Sequence, residues 1–211
     1  MTDLRSLGEA ELDALREVAN IGGGHAATAL SELTGQRIMV TVPRIFVASE
    51  EAVRVASRGT MRGVVAVQFS VAGDLSLEAW LVVDEGDARR FCDALLGRSP
   101  GSTTTLGHME RSSLEEAANI LVGAYLNALS ELMGTVLMPS VPAFRSAMLA
   151  AVLEEIFRSD AGTLPAGVGP GLGIETRFHM GRAGDPVLPA LLLLLPDRVS
   201  VGVILRALRV I

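Results

Sequence analysis

Apolar residues return at helical spacing in two stretches of the chain. Leu12, Leu15, Val18 and Ala19 line one side of the first, and Leu114, Ala117, Ala118 and Leu121 line one side of the second. Recurrence at three and four residues predicts an amphipathic helix with its apolar stripe turned inward. Residues 36–43, 63–71, 77–83, 135–142, 173–180 and 188–195 are instead short runs rich in β-branched or apolar residues, which predict strands. Residues 49–56, 84–96, 147–157 and 197–208 predict further helices. Asp84 and Asp197 stand at the starts of two of these, and Gly97 stands just past the end of one. The run Gly22–Gly24 predicts a break after the first long helix, beyond which a second helix turns away. The matching second helix of the other half covers residues 124–134. Each half therefore reads helix, helix, strand, helix, strand, strand, helix.

The order repeats because the sequence repeats. Set against itself at an offset of 99 positions, the chain lays residues 13–43 over residues 112–142 without a gap, and fifteen of the 31 positions are identical. The segment ALSEL occurs at 29–33 and again at 128–132. This density of identity marks a duplication, and two copies predict a pseudo-two-fold domain rather than a solenoid. Residues 1–211 are read as one domain, with repeats at about 7–97 and 106–211 and a polar, breaker-rich join at 98–107. Each repeat offers three strands, so the two sheets are expected to fuse. Residues 160–173, rich in Gly and Pro, have no counterpart in the first half and read as a surface insertion.

Composition narrows the function. Hydrophobic residues make up 49% and aromatics 4%, so the core is built from aliphatic side chains and few rings remain for stacking on bases. A net charge of −6 argues against nucleic acid or an anionic membrane as the main partner. Cys92 is the one cysteine, so no internal disulfide forms and a reducing cytoplasm fits. Its neighbours Phe91, Leu95 and Leu96 make it a buried structural thiol. Residues 1–11 lack the apolar stretch of a signal peptide. The longest apolar run, 187–196, falls far short of the ~20 residues that span a bilayer, so no membrane insertion is expected. No His, Cys and Asp cluster has metal-ligand spacing; His25, His108 and His179 are isolated, and no metal or cofactor of its own is expected. Gly22–Gly24 follow a helix and lack a succeeding Lys-Ser/Thr, which argues against a P-loop.

The chemistry lies in polar positions shared by the repeats. The first half reads Asp13-x3-Glu17-x2-Asn20, with Pro43 following 23 residues later. The second reads Ser112-x3-Glu116-x2-Asn119, with Pro142 at the same distance. Spacing of i, i+4 and i+7 places each triplet on one helix face, away from the apolar stripe. A single such face is ordinarily solvated surface with a capping Asp or Ser at its start. Its recurrence in register fits either a shared function or a recent duplication.

The segments EVANIGGGHAATALSEL and EAANILVGAYLNALSELMG resemble the two signature segments of the CheC family. These are chemotaxis phosphatases that include CheX and the phosphatase part of FliY. The Asp/Ser-x3-Glu-x2-Asn pattern with its distal Pro is similar to the family's active-site signature, complete in both halves. The resemblance runs from about Leu7 to the C-terminus; His25 stands where relatives often carry a small polar residue. Two complete motifs, without the extra flagellar domain of FliY, point to the CheC branch.

The resemblance implies an α/β (α+β) domain whose six-stranded, largely antiparallel sheet carries two long motif-bearing helices on one side. It implies hydrolysis of the aspartyl-phosphate of a CheY-type response regulator, with Mg2+ supplied by that regulator. Asn20 and Asn119 would orient water, and Glu17 and Glu116 would pair with a lysine of the regulator. Asp13 and Ser112 are expected to cap or tune the helix starts. A non-catalytic module like the FliM middle domain, which has the fold without the Glu/Asn pairs, is the alternative. CheD, a receptor-modifying amidase, is a further expected partner, with residues 124–134 as its contact.

Overall fold

Alternating side chains build the centre of the molecule, a computed structural model that describes residues 4, 7–56, 63–158, 171–180 and 187–208. In β2 (Gly63–Gly73), Val65, Val67, Phe69 and Val71 join one apolar cluster while Val64 and Ala66 join another on the opposite face. β3 (Leu77–Asp84) divides Ala79, Leu81 and Val83 from Trp80 and Val82 in the same way. β7 (Val187–Pro196) divides Leu192 and Leu194 from Leu191, Leu193 and Leu195. Strands covered on both faces need apolar residues at nearly every position, which explains the unbroken leucine run.

Four more strands complete one antiparallel sheet: β1 (Ile38–Ala48), β4 (Leu137–Pro139), β5 (Ala143–Met148) and β6 (Gly171–Met180). The order is β1-β6-β7-β3-β2-β4, with β5 also paired to β2. Exchanging β1 for β4 and β5, β2 for β6 and β3 for β7 reverses this order onto itself. The opening strand of each half therefore lies against the second strand of the other half.

The sheet has seven strands rather than the expected six because proline interrupts the opening strand of the second half. Four steps from Pro139 to Ala143 match three along β2, from Val71 to Gln68. The extra residue falls where Pro142 lacks an N–H, and the strand divides into β4 and β5. In the first half three steps from Thr41 to Arg44 match two along β6, from Arg177 to Glu175. Pro43 sits in that irregularity, and β1 continues beyond the predicted end to Ala48.

Two long helices, α1 (Glu9–Thr34) and α4 (His108–Met133), lie on one face of the sheet, flanked by α3 (Glu85–Leu95) and α6 (Arg198–Leu208). The short helices α2 (Glu50–Ala56) and α5 (Leu149–Arg158) cover Trp80, Val82 and Leu193 on the other. Asp84 caps α3 by accepting from the N–H groups of Gly86 and Asp87. Asp197 accepts from Ser200 N–H at 2.7 Å at the start of α6.

The predicted break at Gly22–Gly24 does not occur; α1 runs through the glycines, and α4 likewise runs on through residues 124–133. The reason is a neighbour. A Cβ at Gly22 would stand 2.8 Å from Tyr125 Cδ1 and 3.0 Å from the Ala124 carbonyl oxygen. Glycine here lets the two helix backbones touch. Tyr125 is buried, with its hydroxyl 3.2 Å from Thr176 Oγ1. Both helices end at a left-handed glycine, Gly35 at φ 64° and Gly134 at φ 62°.

Two further boundaries differ. Ala147 and Met148 stay in β5, paired with Val64 and Gly63, so α5 starts at Leu149. Residues 171 and 172, expected in a loop, belong to β6, which starts two residues before its predicted beginning at Gly173. A side chain at Gly171 would strike Leu195 and one at Gly173 the ring of Phe46, so these glycines serve close packing. Residues 160–170 of that loop lie outside the described residues. Among the described residues no helix is long and apolar enough to cross a membrane. Cys92 is buried, and burial pushes its thiol up to about 11, far from a reactive thiolate.

Candidate active site

The motif helices begin a full turn before the motif. Gly8 and Gly107 are the N-caps, and Glu11 and Glu110 supply the acceptors for their N–H groups. This Gly-x2-Glu arrangement is itself repeated and satisfies the helix start from within the first turn. Asp13 and Ser112 therefore do not cap, contrary to expectation. Both are exposed in the second turn, where Asp13 pairs with Arg16 at 2.7 Å.

Beyond that point each helix divides cleanly. Leu15, Val18 and Ala19 are buried while Glu17 and Asn20 are exposed; Leu114, Ala117 and Ala118 are buried while Glu116 and Asn119 are exposed. Among the described residues, none of these two carboxylates and two carboxamides has a hydrogen-bond or ion-pair partner. Each helix thus holds an unengaged carboxylate one turn ahead of an unengaged carboxamide, on a backbone whose other side is locked in the core. A carboxamide can donate and accept at once, and a carboxylate can only accept. The surroundings differ in charge, since Glu115 takes the place of Arg16 in the second face.

Pro43 is exposed and Pro142 half-buried, each at the irregularity in the strand its motif helix packs on. Ser31 links helix to strand in the first half: its hydroxyl accepts from Ile38 N–H at 2.9 Å and donates to the Ala27 carbonyl at 2.6 Å. In the second half the Ser130 hydroxyl is buried with no partner among the described residues, and Thr135 N–H donates to the Ser130 carbonyl at 3.0 Å instead. Arg111 lies 5.5 Å above the Phe144 ring and ties the start of α4 to β5.

His25 and His108 are exposed, and His179 Nε2 lies 3.1 Å from Thr41 Oγ1. Among the described residues no three His, Cys, Asp or Glu side chains gather as a metal site would. Sequence reasoning overlooked two positions on the motif face. Ile21 and Gly24 follow Glu17 at i+4 and i+7, as Ile120 and Gly123 follow Glu116. The identities between repeats at 17, 20, 21 and 24 already traced that face.

The model of the CheC-like family matches residues 11–47 and 109–145, which contain both motifs and both prolines. The CheY-P phosphatase CheC of Bacillus subtilis (strain 168) is 34% identical over 157 residues, covering 74% of this chain and 75% of that protein. Among solved structures, Thermotoga maritima FliY superposes with a TM-score of 0.75 at 22% identity, over 97% of this chain and 98% of that one. The FliM middle domain from H. pylori superposes with a TM-score of 0.66 at 12% identity, over 95% and 99%. These two likenesses speak to the fold. Extended identity with CheC, together with the family's match to both repeats, means that the chain belongs to the CheC-like family of chemotaxis phosphatases.

Proposed function

We propose that the chain hydrolyses the aspartyl-phosphate of a CheY-type response regulator in the cytoplasm, using Glu17 with Asn20 on one face and Glu116 with Asn119 on the other. The observation that carries this reading is the pair of exposed, unpartnered carboxamides on rigidly held helices. Acyl-phosphate hydrolysis asks little covalent chemistry of a catalyst; it asks for a water in line with the breaking bond. The regulator brings the phosphoaspartate and its Mg2+. The Asn carboxamide enters its pocket, accepts a hydrogen bond from water and donates one to a phosphoryl oxygen. The water oxygen bonds to phosphorus as the bond to the aspartyl oxygen breaks. The aspartate carboxylate leaves with the electron pair, and the product phosphate keeps the water's protons. Glu17 and Glu116 pair with a regulator lysine and set the depth of docking.

The fold of the FliM middle domain favours a second reading, in which the chain binds a regulator without turnover. One assay separates them: decay of the phosphorylated regulator at substoichiometric chain. Hydrolysis gives many turnovers per chain, and Asn20→Ala with Asn119→Ala removes about 10²–10³ of the rate, as loss of one positioned polar group does. Wild-type speed in the double variant contradicts the assignment, and absence of turnover in the wild type supports binding alone. A CheD-type amidase is a second partner suggested by the family. Tyr125, Leu126, Ala128 and Leu129 are buried within residues 124–134, where Asn127, Glu131 and Gly134 are the exposed positions.

A further inference from the structure

Gly24 and Gly123 occupy the same place in the two motif helices, and nothing inside the molecule requires either to be glycine. A Cβ at each would meet nothing within 4 Å. Neither has the positive φ seen at Gly35 and Gly134. Both lie deep inside 26-residue helices, where glycine is a poor helix former. Gly22, two residues away, has the opposite character, with Tyr125 and the Ala124 backbone against its missing side chain.

Divergence around these positions sharpens the contrast. Gly22, Gly23, His25 and Ala26 correspond to Leu121, Val122, Ala124 and Tyr125, so the neighbours have all changed. Apart from the buried Ala19 and Ala118, the positions retained between 17 and 26 are Glu17, Asn20, Ile21 and Gly24 against Glu116, Asn119, Ile120 and Gly123, a single face at i, i+3, i+4 and i+7. Ile21 keeps 46% of its surface exposed on that face. Helical Cα–Cβ bonds tilt toward the N-terminus, so any side chain at 24 or 123 would lean over the carboxamide one turn before it.

An Asn side chain is short. To place its carboxamide beside a phosphoryl group inside a pocket, the rim of that pocket must come down onto the helix backbone. We infer that Gly24 and Gly123 are positioning residues that leave each helix bare so that the rim of the regulator's phosphoaspartate pocket can seat against it. This deepens the hydrolytic reading above and rests on it.

The test compares wild type, Gly24→Leu with Gly123→Leu, and Gly24→Ala with Gly123→Ala, following phospho-regulator decay and thermal unfolding. Docking predicts that the leucine pair loses about 10-fold or more in kcat/KM, carried mainly by KM, because small misplacements of reacting groups are costly. The alanine pair falls between. Stability moves the other way: Tm rises by about 2–4 °C for each glycine replaced by alanine. A merely structural role would lower activity and Tm together. Wild-type kcat/KM in a folded leucine pair overturns the inference; if that pair does not fold, wild-type kcat/KM in the alanine pair overturns it. Where the wild type itself does not speed decay, the hydrolytic reading fails separately. Binding of the same variants to beryllofluoride-loaded regulator then decides docking, which is overturned by unchanged affinity.

Discussion

Asn20 and Asn119 stand out by having no work to do inside the molecule, whereas Asp93 is fully engaged. Its carboxylate accepts from Gly101 N–H at 2.6 Å, Ser102 Oγ at 2.9 Å and Thr103 N–H at 2.9 Å. It thereby clamps the join between the repeats onto α3. Burial raises the Asp93 carboxyl, but the hydrogen bonds from Thr103, Ser102 and Gly101 outweigh it and hold it below its ordinary 3.8. A carboxyl lowered by folding stabilises fully above its unfolded value, and that contribution is lost as pH falls through the folded one. Asp93→Asn is therefore expected to lower unfolding free energy by about 2 kcal/mol at neutral pH, from the loss of charge-assisted hydrogen bonds. In urea titrations the gap from wild type should narrow as pH falls below the carboxyl's ordinary 3.8; a constant gap would show that charge plays no part. Helical periodicity made the outward direction of Glu17, Asn20, Glu116 and Asn119 legible from sequence. The idleness of Asp13 and Ser112 as caps was not, because glycine at the true N-caps carries no side-chain signal and its acceptor sits three residues on.

At the scale of elements, the same residue type meant different things in different surroundings. Three consecutive glycines look like a helix break, but the partner that decides the matter, Tyr125, lies in the other repeat. Gly22→Leu installs the residue that α4 carries at the equivalent position, Leu121. Against the backbone of Ala124 and Tyr125 it must push the helices apart, at a cost of about 3 kcal/mol for overpacking. Chemical denaturation measures this, and an unchanged midpoint would mean the helices do not touch there. Strand positions were legible from β-branched and apolar runs, and most boundaries held within a few residues. Proline gave one strand irregularity in each half, yet the sequence alone could not tell a continuous β1 from a divided β4 and β5. Pairing with β6 on one edge and β2 on the other separated the two outcomes.

Across the whole molecule, the duplication places the opening strand of each half against the other half's second strand. Half a chain would therefore leave one edge of β2 or of β6 unpaired and take from β1, or from β4 and β5, the strand it pairs with. The arrangement carries both motif helices on one scaffold. The proposed function has each face act on a regulator independently of the other, and that is the claim on which the account turns. It is tested most directly by the steady-state rate of phospho-regulator decay with wild type, Asn20→Ala, Asn119→Ala and the double variant. The account predicts that the rates of the two single variants sum to that of the wild type and that the double variant falls to the regulator's own decay. Abolition by either single substitution, or wild-type decay in the double variant, would contradict it.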